Sequence, residues 1–477
     1  MDRCAGKRGG QMKVRTWKLL LPLALFAVAA TVATSGALAT PAQADEVRVA
    51  IMTDCKGAFA FGYEPDIGGA FAAFSQYAGA KPKNKKKPSA GIVGGEAGGK
   101  SIKIVGLGCG DETPALALKE TRRLMVQLKG DVMIGPLSGD EAVTIANWAK
   151  NNPTKTVIVG TAASQDPTMQ IAPKNLFRYH GDGAQWNAGL GEIVYKKLGW
   201  RTAALIGDDY SFPWTSAAGI IAEFCAIGGK ITKRVWTPPQ GGDYAPFIRQ
   251  LPAPDKVDGY FWLVGGANTG AALTAFEQAY GPVSAKQHSG NLFLFFLGNF
   301  ATAAPKLIGA YFGGFGTGQT GLKTKAALTY EKQAGKWYPK VWDVHDGFFY
   351  NYWNAAWALV QGLEKSNGEV GAALQLALPR TLKAGFQVSN GGVLRLDSRR
   401  QAVQDQYPLQ IVKGADGKPA ALVAGYVPSV DQTFGGTFGP NKPAPGRNFP
   451  PCVKKKLPWQ GKIQVVKNGV ITKQFIK

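Results

Sequence analysis

The sequence predicts an α/β protein built as two Rossmann-like lobes, each a parallel sheet flanked by helices. Three observations predict it. Short β-branched runs alternate with helical patterns, the alternation restarts once near residue 181, and no solenoid-length repeat is present.

The elements follow in order. Strands at Val47–Met52, Ile102–Leu107, Val132–Ile134 and Thr156–Val159 alternate with helices at Asp66–Tyr77, Pro114–Leu128 and Glu141–Lys150. Ile67, Ala70, Phe71 and Phe74 share one face of the first helix, the spacing of a core-facing stripe. The second series has helices at Ala184–Leu198, Thr215–Ala226, Tyr244–Leu251 and Thr269–Tyr280. Its strands are Thr202–Ile206, Ile231–Val235, Tyr260–Val264 and Leu292–Leu297. Helices at Lys323–Gln333 and Phe348–Leu363 return to the first lobe. The expected first lobe is therefore 45–180, completed by about 318–395, and the second is 181–317, completed by about 396–430. The remaining 431–477 is a tail. Its Phe434–Pro451 stretch, rich in Gly and Pro, reads as a loop or linker, and Leu457–Ile476 as a hairpin turning at Asn468-Gly469.

Residues 1–44 read as a secretory signal. Lys13, Arg15 and Lys18 precede an apolar run from Leu19 to Val32, and small residues end at Ala42-Gln43-Ala44. The run is short for a bilayer span of about 20 residues, and cleavage is expected after Ala44. The mature chain would carry 49 basic against 31 acidic residues, a net +18. Nucleic acid is the first partner such a charge suggests, but export and the spread of the charge argue against it. Lys81–Lys87 and Lys454–Lys456 are the densest basic runs and read as solvated segments, with attraction to anionic envelope polymers as the alternative.

Four cysteines follow the signal, an even number in an exported chain. Cys55 and Cys109 each lie just past a predicted parallel strand, so they are expected to pair, and elimination leaves Cys225 with Cys452. No close C-x-x-C pair accompanies the three histidines, so no metal or other cofactor is expected.

Catalytic motifs are absent. Gly135-Pro136-Leu137-Ser138-Gly139 is one residue off the hydrolase elbow, and no His lies in a partner motif. Gly106–Asp111 is not the dinucleotide fingerprint, and Gly313–Gly321 is not a phosphate loop. A different pattern recurs at the strand ends. Gly135–Gly139, Gly160–Ser164, Gly207–Ser211, Gly265–Asn268 and Gly298–Phe300 are rich in small or hydroxyl residues. Ligands of open parallel sheets sit at the carboxyl ends of the strands. There, exposed N–H groups and helix N-termini suit a carboxylate.

Read in order, several segments resemble the leucine/isoleucine/valine-binding proteins among the type I periplasmic solute-binding proteins. They are Gly110–Pro114, Val132–Ser138, Thr161–Ser164, Phe177–Tyr179, Gly207–Tyr210, Gly242–Ile248, Asn351–Leu363 and Gly392–Asp397. The resemblance spans most of Val47–Val430. It implies three hinge strands, a small-molecule ligand closed between the lobes, and delivery of that ligand to the membrane permease of an ABC importer by a monomer outside the cytoplasm. It also implies that Ser138, Gly139, Ala162, Ala163 and Ser164 hold a ligand carboxylate while Tyr210 or Phe212 covers it. Asp208, Gly266, Asn299 and Phe300 complete the expected site. One departure stands out. Amino-acid binders of this family place an acid where this chain has Gly298-Asn299-Phe300. Phe59, Phe61, Trp214 and Phe300 would then face a less polar ligand or fill the core. An exported serine hydrolase at Ser138 and a ligand-sensing module are the alternative readings.

Overall fold

Strand β1 (Glu46–Asp54) is buried along nearly its whole length, on both faces, as a central parallel strand must be. The computed structural model describes residues 46–239, 241–265, 268–291, 304–314, 321–341, 347–380, 394–414 and 416–477. The expected signal, the strand at Leu292–Leu297, Gly266, Asn299 and Phe300 lie outside these residues.

Around β1 the first lobe assembles β2 (Lys81–Pro82), β3 (Ile92–Val93), β4 (Glu96–Ala97), β5 (Lys100–Gly110), β6 (Val132–Ile134), β7 (Thr156–Val159) and β8 (Leu176–Arg178). The sheet order is β4-β5-β1-β6-β7-β8, with only the β4–β5 pair antiparallel, and β2 and β3 form a separate ribbon. The second lobe has β9 (Thr202–Asp208), β10 (Lys230–Thr237), β11 (Gly259–Leu263), β12 (His288–Asn291) and β13 (Tyr311–Gly313) in the order β10-β9-β11-β12-β13. A third, antiparallel sheet contains β14 (Arg395–Leu396) and β15 (Ala402–Gln406). The hairpin of β16 (Leu409–Lys413) and β17 (Pro419–Val423) extends the second lobe's sheet beyond β13. β18 (Gly425–Val430), β19 (Gln464–Lys467) and β20 (Val470–Phe475) finish the third sheet, and β19 and β20 turn at Asn468-Gly469.

The helices are α1 (Tyr63–Tyr77), α2 (Pro114–Arg122), α3 (Gly139–Lys150), α4 (Gly183–Trp186), α5 (Leu190–Lys197), α6 (Ser211–Ala226), α7 (Ala245–Ile248) and α8 (Thr269–Tyr280). The helix expected over Ala184–Leu198 is two helices. Gly189 breaks it at φ 95°, and its Cα sits where a Cβ would lie 2.7 Å from Pro408. A tertiary contact overrides the local helical pattern. The helix Gly347–Ser366 crosses α1 so closely that a Cβ on Gly69 would meet the Phe349 carbonyl oxygen at 2.0 Å. Its Tyr352 hydroxyl donates to the Met52 carbonyl in β1 at 2.6 Å. The chain thus comes back to the first lobe after its excursion through the second.

Phe434–Pro451 departs from the expected loop or linker. It is irregular in backbone but packed: Phe434 and Phe438 are buried, and the Phe434 ring meets Trp459 edge-on at 4.7 Å.

Both expected cysteine pairs are disulfides. Cys55–Cys109 joins the ends of neighbouring β1 and β5, with Cα atoms 5.0 Å apart. Cys225–Cys452 ties the tail to the end of α6, with Cα atoms 5.3 Å apart. Cross-links over 54 and 227 residues would each stabilise by roughly 4–5 kcal/mol in the chain-entropy picture. Beside the first of them, the carboxyls of Asp54 and Glu141 converge on Gly110. Burial pushes Glu141 up to about 7, and burial together with the Glu141 charge pushes Asp54 well above its usual range.

Two predictions follow from these contacts. Alkylation of the mature protein without reductant should label no cysteine, and reduction should expose four. The raised carboxyls hold protons in the folded state that the unfolded chain releases, so stability attached to them is highest in acid. It should fall as pH rises from the unfolded value of 4.5 through about 7. Thermal melts across that interval should show this decline, and Glu141→Gln should remove on the order of 2 kcal/mol of it. An unchanged slope in the variant would contradict the assignment.

Candidate functional site

The loops after β6 and β7 in the first lobe face the loop after β9 in the second. Each lies at the carboxyl end of a parallel strand, where the sheet stops and the helix that follows begins. The contact between them is close. A Cβ on Gly139 would lie 2.6 Å from Ser211 Oγ and 3.1 Å from the Phe212 amide nitrogen. The Ser211 amide donates to Asp140 Oδ1 across the cleft at 3.2 Å, and the Gln165 amide to Thr215 Oγ1 at 3.3 Å. The lobes are closed on each other.

Between them the closed cleft leaves a cavity of about 20 Å³, lined by Phe59, Leu137, Ser138, Gly139, Thr161, Ala163, Trp186, Tyr210, Phe212 and Phe348. Five of the ten are aromatic, and none carries a charge. Phe59 spans the cleft: it meets Phe348 at 6.4 Å between ring centres, and its ring end lies 2.8 Å from the position of a Cβ on Gly265 in the second lobe. On the other side Trp186 meets Phe212 edge-on at 6.3 Å, and Tyr210 lies 6.1 Å from Phe212.

One end of this apolar chamber is polar. Ser138 is the N-cap of α3, is 3 % exposed, and makes no capping bond; its hydroxyl is buried without a protein partner. The first-turn amides of a helix have no intrahelical acceptor. They and the positive end of the twelve-residue α3 favour an anion there. The turn is fixed from behind, because the Ser164 hydroxyl donates to the Gly139 carbonyl at 2.9 Å.

Among the described residues, Asp140, Asp208 and Glu112 are engaged elsewhere. Asp140 accepts from Ser211. Asp208 accepts from the Gly265 amide at 2.8 Å and the Thr237 hydroxyl at 3.0 Å, and burial raises its carboxyl to about 8. Glu112 accepts from the Phe59 amide at 3.0 Å and is raised by burial to about 7. No His, Cys, Asp or Glu cluster among the described residues has an arrangement that could hold a metal ion.

Of the expected site residues, Ser138, Gly139, Ala163, Tyr210 and Phe212 come together on the cavity wall. Ala162 does not line it: the side chain packs into the first lobe's core, and the carbonyl accepts from Arg178. Ser164 and Asp208 brace the wall from behind. Phe61 touches the aromatic cluster at its edge, 5.4 Å from Phe348, and Trp214 is spent on Asp209. Leu137, Thr161, Trp186 and Phe348 were not among the expected residues. Trp186 and Phe348 fall in the first turns of two helices that begin at the cleft, a position that only the tertiary fold reveals.

The comparisons with known proteins agree with this geometry. Residues 46–418 match the family model described as periplasmic binding protein. Among solved structures, an ABC transporter substrate-binding protein from Sphaerobacter thermophilus aligns at TM-score 0.65 and 18% identity, covering 81% of this chain and 99% of its own. A solute-binding protein of an ABC transporter from R. palustris, in complex with benzoate, aligns at TM-score 0.64 and 21% identity, covering 81% and 98%. A leucine-binding protein, LivK, from Thermotoga maritima aligns at TM-score 0.64 and 14% identity, covering 80% and 99%. At such identities the likeness speaks to the shared fold. A comparison with curated proteins finds no match. The family consists of extracytoplasmic solute-binding proteins, not enzymes. With two parallel-sheet lobes closed on each other, and a family match across both of them, this chain belongs to the periplasmic binding protein family, with the type I fold.

Proposed function

We propose that this chain is the solute-binding component of an ABC importer and that its solute is a small aromatic monocarboxylate. The observation that carries the reading is the cavity wall. Its described residues offer five aromatic side chains and no charge, with one polar end made by the Ser138 hydroxyl and the α3 amides. A benzoate-like molecule matches both ends. Its ring would replace water against Phe59, Trp186, Tyr210, Phe212 and Phe348, and its carboxylate would accept from Ser138 and the first turn of α3. The similar R. palustris protein holds benzoate, which supports the reading.

An α-amino acid, the solute named for the Thermotoga protein, fits less well. Its ammonium would be desolvated against rings with no carboxylate among the described residues of the wall, and an unpaired buried charge is costly. Closure over the solute would make the form that a permease recognises. The residues 1–44 would be removed as the protein leaves the cytoplasm; β1 begins at Glu46, so cleavage after Ala44 takes nothing from the sheet. The mature protein would act as a monomer.

A thermal-shift titration tests this. Benzoate at about 100 times its dissociation constant should stabilise the protein by about 2.7 kcal/mol, whereas leucine and glycine should not shift it. A shift with leucine and none with benzoate would sink the proposal. Ser138→Ala should weaken benzoate binding about tenfold or more by removing a hydrogen bond to a charged group. Gly139→Ala should weaken it further, because the added methyl meets Ser211 and Phe212 of the other lobe in the closed form.

A further inference from the structure

The family match ends at residue 418, and the similar structures align with 80–81% of this chain. The tail beyond β18 lies past the end of the family match, and its contacts fall on both lobes. Its first stretch hydrogen-bonds the first lobe, while its Phe434 and Phe438 join a cluster that also holds Ala184, Ala188, Ala218 and Ala222 of the second. The Gln432 carbonyl accepts from Gln165 Nε2 at 3.0 Å, and its side chain accepts from Thr168 Oγ1 at 3.1 Å and donates to Asp397 Oδ2 at 2.7 Å. Gln170 Nε2 donates to the carbonyls of Gly439 and Lys442 at 3.3 and 3.1 Å. Gln165 ends the loop that carries Thr161 and Ala163 of the cavity wall, and Thr168 and Gln170 lie in the helical turn Pro167–Ile171 that follows it.

The second stretch grips the second lobe. Arg447 forms a bidentate ion pair with Asp209, Nε to Oδ1 at 2.7 Å and the second nitrogen to Oδ2. Asp209 immediately precedes Tyr210 and also accepts from Trp214 Nε1 at 3.1 Å. The Arg447 carbonyl accepts from Arg234 and Trp236, the Pro450 carbonyl accepts from Arg234 at 2.6 Å, and Cys452 is locked to α6 by its disulfide. Beyond that, Trp459 donates to buried Glu223 at 2.6 Å, and the Gly461 amide to Glu192.

Only Pro443-Ala444-Pro445-Gly446 separates the first-lobe contact at Lys442 from the second-lobe contact at Arg447. Five residue steps reach at most about 18 Å when fully extended, and the two prolines stiffen them.

We propose that residues 431–452 are a strap between the lobes, anchored by Cys225–Cys452, and that Arg447 is a positioning residue for the ligand loop Asp209–Phe212. The strap limits how far the clamp opens and slows release of the solute. Its short span sets the limit. The Arg447–Asp209 pair transmits the limit to the residues that cover the cavity.

Hydrogen exchange on the unliganded mature protein tests the strap without reference to any solute. Wild type is compared with Arg447→Ala and with the paired Cys225→Ser, Cys452→Ser variant. The facing segments 138–142 and 210–216 should exchange at least about threefold faster in both variants, as expected for easier local opening, while strands β1, β5, β9 and β11 keep wild-type protection. The strap is overturned if those facing segments keep wild-type exchange while 431–452 itself becomes freely exchanging. Stopped-flow release of benzoate adds a second readout, with dissociation about threefold faster in Arg447→Ala. If benzoate does not bind wild type, the solute proposal fails, and the exchange comparison still decides the strap.

Discussion

The structure depends on one buried cation. Arg178, at the end of β8 where the chain leaves the first lobe, is fully buried. Its guanidinium donates to the carbonyls of Ala162 and Ser164 at 3.2 and 2.6 Å, to Thr168 Oγ1 at 2.7 Å, and to Gln401. Gln401 in turn donates to the His180 carbonyl and to Gln185, and its backbone forms a bridge with Arg178. A guanidinium in such a place is tolerable only when its donors are satisfied and opposite charge is near. Asp182, Asp397 and Asp166 supply that charge. Burial lowers Arg178 to about 10, which leaves it charged at neutral pH.

That constraint links the moving parts. The carbonyls Arg178 holds belong to the loop that carries Ala163 on the cavity wall. The residues it joins through Gln401 are His180, on the connection that follows β8, and Gln185, in α4. Asp182, one of the balancing acids, caps α4 with a reciprocal capping box, and α4 ends at Trp186, an aromatic of the cavity. A shift of the hinge is therefore felt on both walls of the cavity through hydrogen bonds, not only through packing. Ser164 passes the same order on to Gly139 and so to the N-terminus of α3. The polar end of the chamber is set before a solute arrives, which lowers the ordering cost of binding.

Much of this was legible in the sequence, for physical reasons that differ by element. Parallel strands buried on both faces leave continuous apolar runs, so β1, β6, β7 and β9 were readable, as was the Asn468-Gly469 hairpin. Cys55 and Cys109 sit at the same end of adjacent parallel strands, which made their pairing readable. The site was half legible. Ser138, Gly139, Ala163 and Tyr210 lie in loops that the rule placing ligands at strand ends singles out, and the covering role of Tyr210 or Phe212 came from the family resemblance. Ala162 and Ser164 share that loop, but alternation along an extended chain turns one into the core, and the other spends its hydroxyl on Gly139. Trp186 and Phe348 were hidden because an aromatic in a helix reads as core whichever side it faces. The packing of Phe434 and Phe438 was hidden because a tail stabilised by a disulfide and by both lobes has no periodicity to read.

The central claim is that an apolar, aromatic chamber with one anion-binding end selects a ring bearing a carboxylate. A crystal structure of the mature protein with benzoate tests it most directly. The account predicts the carboxylate within hydrogen-bond distance of Ser138 Oγ and the first amides of α3, with the ring between Phe59 and the Trp186–Phe212 pair. A carboxylate bound away from Ser138, or an amino acid carried through purification with its ammonium against a protein acid in the cleft, would contradict it.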